Sequence, residues 1–239
     1  MKLTVLGSGS AVQFQNRASS CYLIEFGNEK LLVDAGFWVL DRLEKISVRA
    51  DEIDYIFITH KHPDHFFGLI HLLFALKNPF YNRKKPIVLF GFDGLKEYIK
   101  EFKGILGKWI EPDIELAFVE KTYGEFSNFA YKLFKTEHSK ESVGVELLIE
   151  NKKIAYTGDT EYFPGLAKLV DNSEIAVLEC GSSESNNLKG HLNIARILSF
   201  CSGINVRHII LSHFYPDSLP VEELPPNFFV AQDLFCIEI

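Results

Sequence analysis

Paired cysteines are the first thing this chain lacks. Cys21, Cys180, Cys201 and Cys236 form no C-x-x-C pair. Their wide spacing, in a chain of 239 residues that can bury a large core, removes the need for disulfides. Basic excess is also missing. Lys and Arg number 25 against 32 Asp and Glu, a net charge of −7. That argues against a broadly basic nucleic-acid surface, though not against a local basic patch. No apolar run approaches the ~18 residues of a membrane span. The segment Met1-Lys2-Leu3-Thr4-Val5-Leu6-Gly7 reads as a strand. It has neither the long apolar stretch nor the small-residue cleavage site of a signal peptide. A soluble, cytoplasmic protein without a membrane partner is expected. Repeats, low-complexity segments and long linkers are absent. With 24% charged residues the composition is globular rather than disordered. Gly7-Ser8-Gly9-Ser10-Ala11-Val12 lacks the third glycine of a dinucleotide fingerprint, and the polar stretch 13–20 follows where a helix should start. It reads as a tight loop after the first strand.

What the chain does have is histidine in one place. Thr59-His60-Lys61-His62-Pro63-Asp64-His65 packs three imidazoles and a carboxylate into six consecutive positions. An extended backbone points residues i and i+2 the same way, so His60 and His62 can reach one metal ion together. Pro63 breaks the extended run, and Asp64 and His65 at that corner point elsewhere, toward an adjacent second ion. Imidazole and carboxylate suit zinc and similar transition metals. A solvated polar loop is the bland alternative. The apolar run 53–58 before the cluster reads as a buried strand, and a cluster at the tip of a core strand is how α/β folds build sites.

The remaining pattern predicts strands over 3–6, 21–26 and 30–34, with a hairpin at Gly27-Asn28-Glu29, and helices over 38–46 and, more strongly, 66–77. A strand at 86–90 and a helix at 95–102 follow. The second half repeats the rhythm, with paired strands 142–150 and 153–156 around Asn151-Lys152. A helix at 163–170, a strand at 175–178, a helix at 194–201, a strand at 208–211 and strand character over 230–239 complete it. Two β-rich halves, each ending in helices, predict an α/β (α+β) chain with sheets packed face to face and helices outside.

Three further metal-ligand candidates sit past strand ends: His138, Asp159 and His213. Singly, each is a common surface histidine or a Gly-Asp turn. Beside the first cluster, the ligand reading is favoured. His71 reads as a packed or half-exposed helical residue and His208 as structural. His191, in the polar loop Lys189-Gly190-His191, is either solvated or a proton donor.

These segments resemble the metallo-β-lactamase-fold hydrolases. The stretch 59–69 is similar to their H-x-H-x-D-H signature, and Leu6-Gly7-Ser8-Gly9, Leu32-Val33-Asp34-Ala35-Gly36, His138, Tyr156-Thr157-Gly158-Asp159-Thr160 and Leu211-Ser212-His213-Phe214 extend it over nearly the whole chain. Within the superfamily the chain looks most like the ribonuclease Z and phosphodiesterase branch, which carries a Gly-His pair where this chain has Gly190-His191. The resemblance implies one domain over 1–239, a four-layer αβ/βα sandwich of two mixed β-sheets flanked by helices. It implies a first metal on His60, His62, His138 and Asp159, and a second on Asp64, His65, Asp159 and His213, with Asp159 bridging. It further implies Asp34 as an orienting residue, His191 as a catalytic histidine and Glu179 as its support. Two features depart from ribonuclease Z. Only 21 positions separate His138 from Asp159, too few for the tRNA-gripping arm that bacterial members insert there, and Gly-His-Leu-Asn replaces Gly-His-Ser-Thr.

The implied activity is that of a metal-dependent hydrolase, in first place a phosphodiesterase using a metal-bridging hydroxide. Two dications, less Asp64, Asp159 and hydroxide, leave a formal local charge of about +1, which suits an anionic phosphodiester. His191 would protonate the departing alkoxide, with Glu179 on its other ring nitrogen. The cofactors expected are two divalent metal ions, zinc first and manganese or iron as options. Expected partners are a small-molecule or nucleotide phosphodiester, with nucleic acid unsupported by the charge, and a homodimer is compatible. The alternatives are a tRNA 3′ processing endonuclease, a lactonase or thioesterase, or a non-catalytic metal-binding protein.

Overall fold

The computed structural model describes residues 1–220 and 223–239. The chain condenses into two compact units, one of residues 1–7, 18–121 and 233–239, the other of residues 8–17 and 122–232.

The first unit is built on a seven-stranded mixed sheet. Its strands are β1 (Lys2–Gly7), β2 (Cys21–Phe26), β3 (Glu29–Val33), β4 (Tyr55–Ile58), β5 (Ile87–Gly91) and β6 (Leu116–Val119), with the chain's closing strand Cys236–Glu238 on the far side of β1. From that edge to β3 the pairings are antiparallel; β3 through β6 are parallel. All four residues of β4 are buried, as a central parallel strand requires. The helices are α1 (Val39–Lys45), α2 (Pro63–Leu76) and α3 (Leu95–Leu106). Helix α2 starts at Pro63, three residues before the expected boundary. Proline lacks the N–H that a first helical residue cannot use anyway, so Pro63 initiates the helix rather than only ending the strand. Asp64 and His65 therefore lie in the first helical turn, not on a corner. Phe66, Leu69, Leu72 and Leu73 of α2 are fully buried.

The second unit repeats this plan, antiparallel strands followed by parallel ones. Its seven-stranded sheet runs β7 (Tyr123–Glu125), β8 (Phe129–Lys135), β9 (Val143–Ile149), β10 (Lys152–Tyr156), β11 (Ile175–Glu179), β12 (His208–Ser212), β13 (Phe228–Val230). Strands β7 to β10 pair antiparallel and β10 to β13 parallel. Helices α4 (Leu166–Val170) and α5 (Ile194–Cys201) join Ala155, Ala176, Leu178, Ile209 and Leu211 of the sheet in one core. Asn193 caps α5 by accepting from the Arg196 N–H at 2.9 Å. Helix α4 starts only after Gly165, which is left-handed (φ 106°), so the expected first turn at 163–165 is absent.

Candidate metal-binding residues in the two units

In a parallel sheet the strand C-termini line one edge, and loops leaving that edge carry the chemistry. In the first unit, β3 delivers Asp34 and the neighbouring β4 delivers Thr59 and His60. Asp34 is fully buried and left-handed (φ 54°). Its carboxylate accepts from the Thr59 N–H at 2.8 Å, accepts from the Thr59 hydroxyl, and lies 2.7 Å from His65 Nδ1. Thr59 Oγ1 is also 2.9 Å from His60 Nδ1. A hydroxyl has one hydrogen, so a Thr59 that donates to Asp34 accepts from His60. Both histidines are thus protonated on Nδ1 in the neutral form, with the ring lone pair on Nε2. That is the second-layer arrangement expected behind metal-ligating imidazoles. The His60 ring lies 4.5 Å from that of His62 and 4.3 Å from that of His65, centroid to centroid. Asp64 Oδ2 is 3.7 Å from His65 Nε2. His62 is exposed, and the others are buried.

The loop after Asp34 braces this cluster. Its Ala35 N–H donates to the His65 carbonyl, and the Gly68 N–H of α2 donates to the Ala35 carbonyl, each at 2.8 Å. A Cβ on Gly68 would collide with the Gly36 carbonyl, so glycine lets α2 sit directly on this loop. Burial first, then the Asp34 charge, push the thiol of Cys21, nearby on β2, well above its ordinary value.

In the second unit, β10 leads to Asp159 and β12 to His213, with β11 ending in Glu179 between them. Asp159 Oδ2 lies 3.6 Å from His138 Nε2 and 3.3 Å from His213 Nε2. One carboxylate oxygen between two imidazole nitrogens is what a shared ligand needs. His138 Nδ1 donates to the Gly190 carbonyl at 2.9 Å, again leaving the lone pair on Nε2. No local pattern signals this contact, because the partner is a backbone atom 52 residues away. Gly190 is left-handed (φ 85°), and a Cβ there would come within 2.7 Å of His138 Nδ1. Its N–H donates to Glu161 Oε1 at 2.6 Å.

His191 stacks on His213, with centroids 5.3 Å apart and planes at 13°. Its Nδ1 is 3.3 Å from Glu179 Oε1. His191, Asp159 and His213 also offer donor atoms within 4.8 Å of one another. Glu179 does more than face His191. Its buried carboxylate accepts from the N–H groups of Thr160 (3.0 Å), Leu192 (2.9 Å) and Gly181 (2.7 Å). It therefore ties together the loops that carry Asp159 and His191. His71 is an exposed residue of α2 and His208 opens β12, apart from these sets.

In donor chemistry both sets fit divalent metal: imidazoles, of which His60, His65 and His213 are buried, beside buried carboxylates. A model of the family described as "Anti-Pycsar protein Apyc1" matches residues 1–232. Ribonuclease Z of Methanosarcina mazei is 31% identical over 156 residues, covering 64% of this chain and 50% of that protein. The chain thus spans about half the length of the ribonucleases Z of Methanosarcina mazei and Methanosarcina acetivorans that it matches. The human tRNase Z short form (ELAC1) superposes with a TM-score of 0.82 at 23% identity, covering 100% of this chain and 99% of that one. The metallo-β-lactamase fold protein YhfI from Bacillus subtilis does so at 0.77 and 21%, covering 99% and 98%. These likenesses show the fold: two mixed seven-stranded sheets with helices, of the metallo-β-lactamase type.

Proposed function

The chain belongs to the family described as anti-Pycsar protein Apyc1, and from that premise we propose that it is a dinuclear metal-dependent phosphodiesterase acting on small or nucleotide phosphodiesters. The observation that carries the proposal is the fixed tautomer of His60, His65 and His138, each with Nδ1 committed to an oxygen acceptor. Histidines held this way present Nε2 for coordination. We assign His60, His62, His138 and Asp159 to one ion and Asp64, His65, Asp159 and His213 to the other. Zinc is proposed first, since imidazole-rich mixed N/O sets favour it, with manganese or iron as substitutes. When bound, two such cations supply Lewis acidity, lowering the pKa of a water and neutralising charge on the phosphoryl oxygens.

The chain's own residues do the rest. Asp34 and Thr59 hold His60 and His65 in one orientation. His191 protonates the departing oxygen from the ring nitrogen that does not face Glu179, while Glu179 keeps the ring and the Asp159 loop in register. The span between His138 and Asp159 is taken up by strands β9 and β10. This supports a small or unstructured phosphodiester over a folded tRNA. The four cysteines form no disulfide, which suits a reducing compartment, and we place the reaction in the cytoplasm. Among the described residues no helix is long and apolar enough to cross a membrane.

Turnover of bis(p-nitrophenyl) phosphate, measured beside an aryl ester and a lactone on metal-loaded protein, tests the proposal. Preference for the phosphodiester is expected. Preference for the ester or the lactone would replace it with the corresponding hydrolase, and no turnover of any would point to a metal-binding protein.

A further inference from the structure

The second unit holds a polar cavity of about 350 Å³ for which the proposed reaction has no use so far. Its volume is within the range of ligand pockets. His191 stands in its wall, so the cavity lies beside the group that gives the departing oxygen its proton. Leu192 and Asn193, where Gly-His-Leu-Asn departs from the ribonuclease Z pattern, also line it. So do two cations, Lys189 and Arg196. Among the described residues no carboxylate forms an ion pair with either of them. Arg196 is held by its face instead. Its guanidinium lies 5.4 Å from the centre of the Tyr162 ring, and that ring packs 5.7 Å from the ring of buried Phe200. Stacked in this way, a guanidinium keeps its N–H edge for an acceptor. Glu161 is the one carboxylate among the described lining residues, and its Oε1 already accepts the Gly190 N–H at 2.6 Å. Two positive charges against one negative make the cavity attractive to an anion, in a chain whose net charge is −7.

From these observations we propose that the cavity is a subsite for a second anionic group, carried by the leaving group of the phosphodiester. The proposal rests on the phosphodiesterase reading and narrows it, favouring substrates whose departing alcohol bears a further phosphate. In the reaction a water oxygen bonds to phosphorus. The bond from phosphorus to the departing oxygen breaks, its electron pair stays on that oxygen, and His191 supplies the proton. Arg196 grips two oxygens of the second anion with its planar fork, and Lys189 adds a point charge. Held there, the leaving group keeps its oxygen beside His191 while the bond breaks. A terminal phosphate and the next phosphodiester of a chain share this chemistry.

Three substrates of the metal-loaded chain test this: methyl phenyl phosphate, and the same diester with a phosphonate or a phosphonate monomethyl ester at the para position of the ring. The phenol departs from all three. The phosphonate stands for a terminal phosphate and its monoester for a chain diester. Relative to the uncatalysed rates, wild type should favour a charged leaving group by ~10-fold or more in kcat/KM, the scale of charge-assisted hydrogen bonds. Preference for the phosphonate alone assigns the subsite to terminal phosphates, and equal preference to either source. Lys189→Gln and Arg196→Gln keep most of each stem but remove the charge, and each should take away most of that ratio. Added salt should shrink it too. Lys168→Gln, at an exposed lysine of α4 in the same unit, should keep it. No preference in wild type, a ratio untouched by both cavity variants, or an equal loss with Lys168→Gln would overturn the proposal. If none of the three diesters is hydrolysed, the phosphodiesterase reading fails, and calorimetric titration with 4-hydroxyphenylphosphonate decides the subsite by itself. Binding weakened ~10-fold by each cavity variant would uphold it. No binding, or equal binding in wild type and variants, would overturn it.

Discussion

Asp34 holds the first histidine set without belonging to it. Its carboxylate lies 2.7 Å from His65 Nδ1 and reaches His60 through the Thr59 hydroxyl. Asp34→Asn keeps the shape but loses the charge and one acceptor, so the remaining oxygen cannot orient both rings as the carboxylate does. Metal affinity should fall ~10–100-fold, as is usual for residues behind metal ligands. Chelator competition against a zinc indicator checks this, and an unchanged affinity would make Asp34 merely structural. His191 poses a sharper question, because it lies close enough to Asp159 and His213 to be a ligand itself. As a general acid, His191→Ala should keep both metals and lose turnover ~10²–10⁴-fold. The loss should shrink with p-nitrophenolate, which departs without a proton. Elemental analysis separates the roles, since a ligand's removal would empty a site.

At the scale of elements, α2 matters most. It starts at Pro63, carries Asp64 and His65 in its first turn, and rests on the Asp34 loop through Gly68. Gly68→Ala should cost about 1–3 kcal/mol, the range for overpacking, because the new methyl meets backbone that cannot swing away. Urea unfolding measures it; a neutral result would mean the loop gives way easily. The core strands and α5 were legible in the sequence because a buried strand is a short apolar run and α5 has an apolar face with a polar cap. Strand-tip ligands were legible for the same reason: each interrupts such a run with a histidine or aspartate. Other features were not. The β9–β10 turn is at Glu150 and Asn151, both at positive φ, one residue before the expected pair. Strands β6 and β7 are short and incompletely buried, so they have no clear apolar run. Strand character over 230–239 is broken at Leu234, which is left-handed (φ 68°). The Gly190 carbonyl behind His138 and the three amides on Glu179 join loops distant in sequence, which no local pattern encodes.

For the whole molecule, acidity and the short His138–Asp159 span bear on substrate. A chain of net charge −7 gains little from the general attraction that draws basic proteins to RNA. Intact precursor tRNA should therefore be cleaved far less efficiently than small phosphodiesters. Position-specific processing by the isolated chain would instead favour the ribonuclease Z reading. The proposal is that His60, His62, Asp64, His65, His138, Asp159 and His213 hold two metals for phosphodiester hydrolysis. Its most direct test is to titrate metal-free protein with Zn²⁺ while following bis(p-nitrophenyl) phosphate hydrolysis. Activity should rise from baseline and level off at two equivalents per chain in wild type. With Asp159→Ala, placed on both ions, it should stay at baseline. Full activity without metal, saturation at one equivalent, or wild-type turnover in Asp159→Ala would contradict the account.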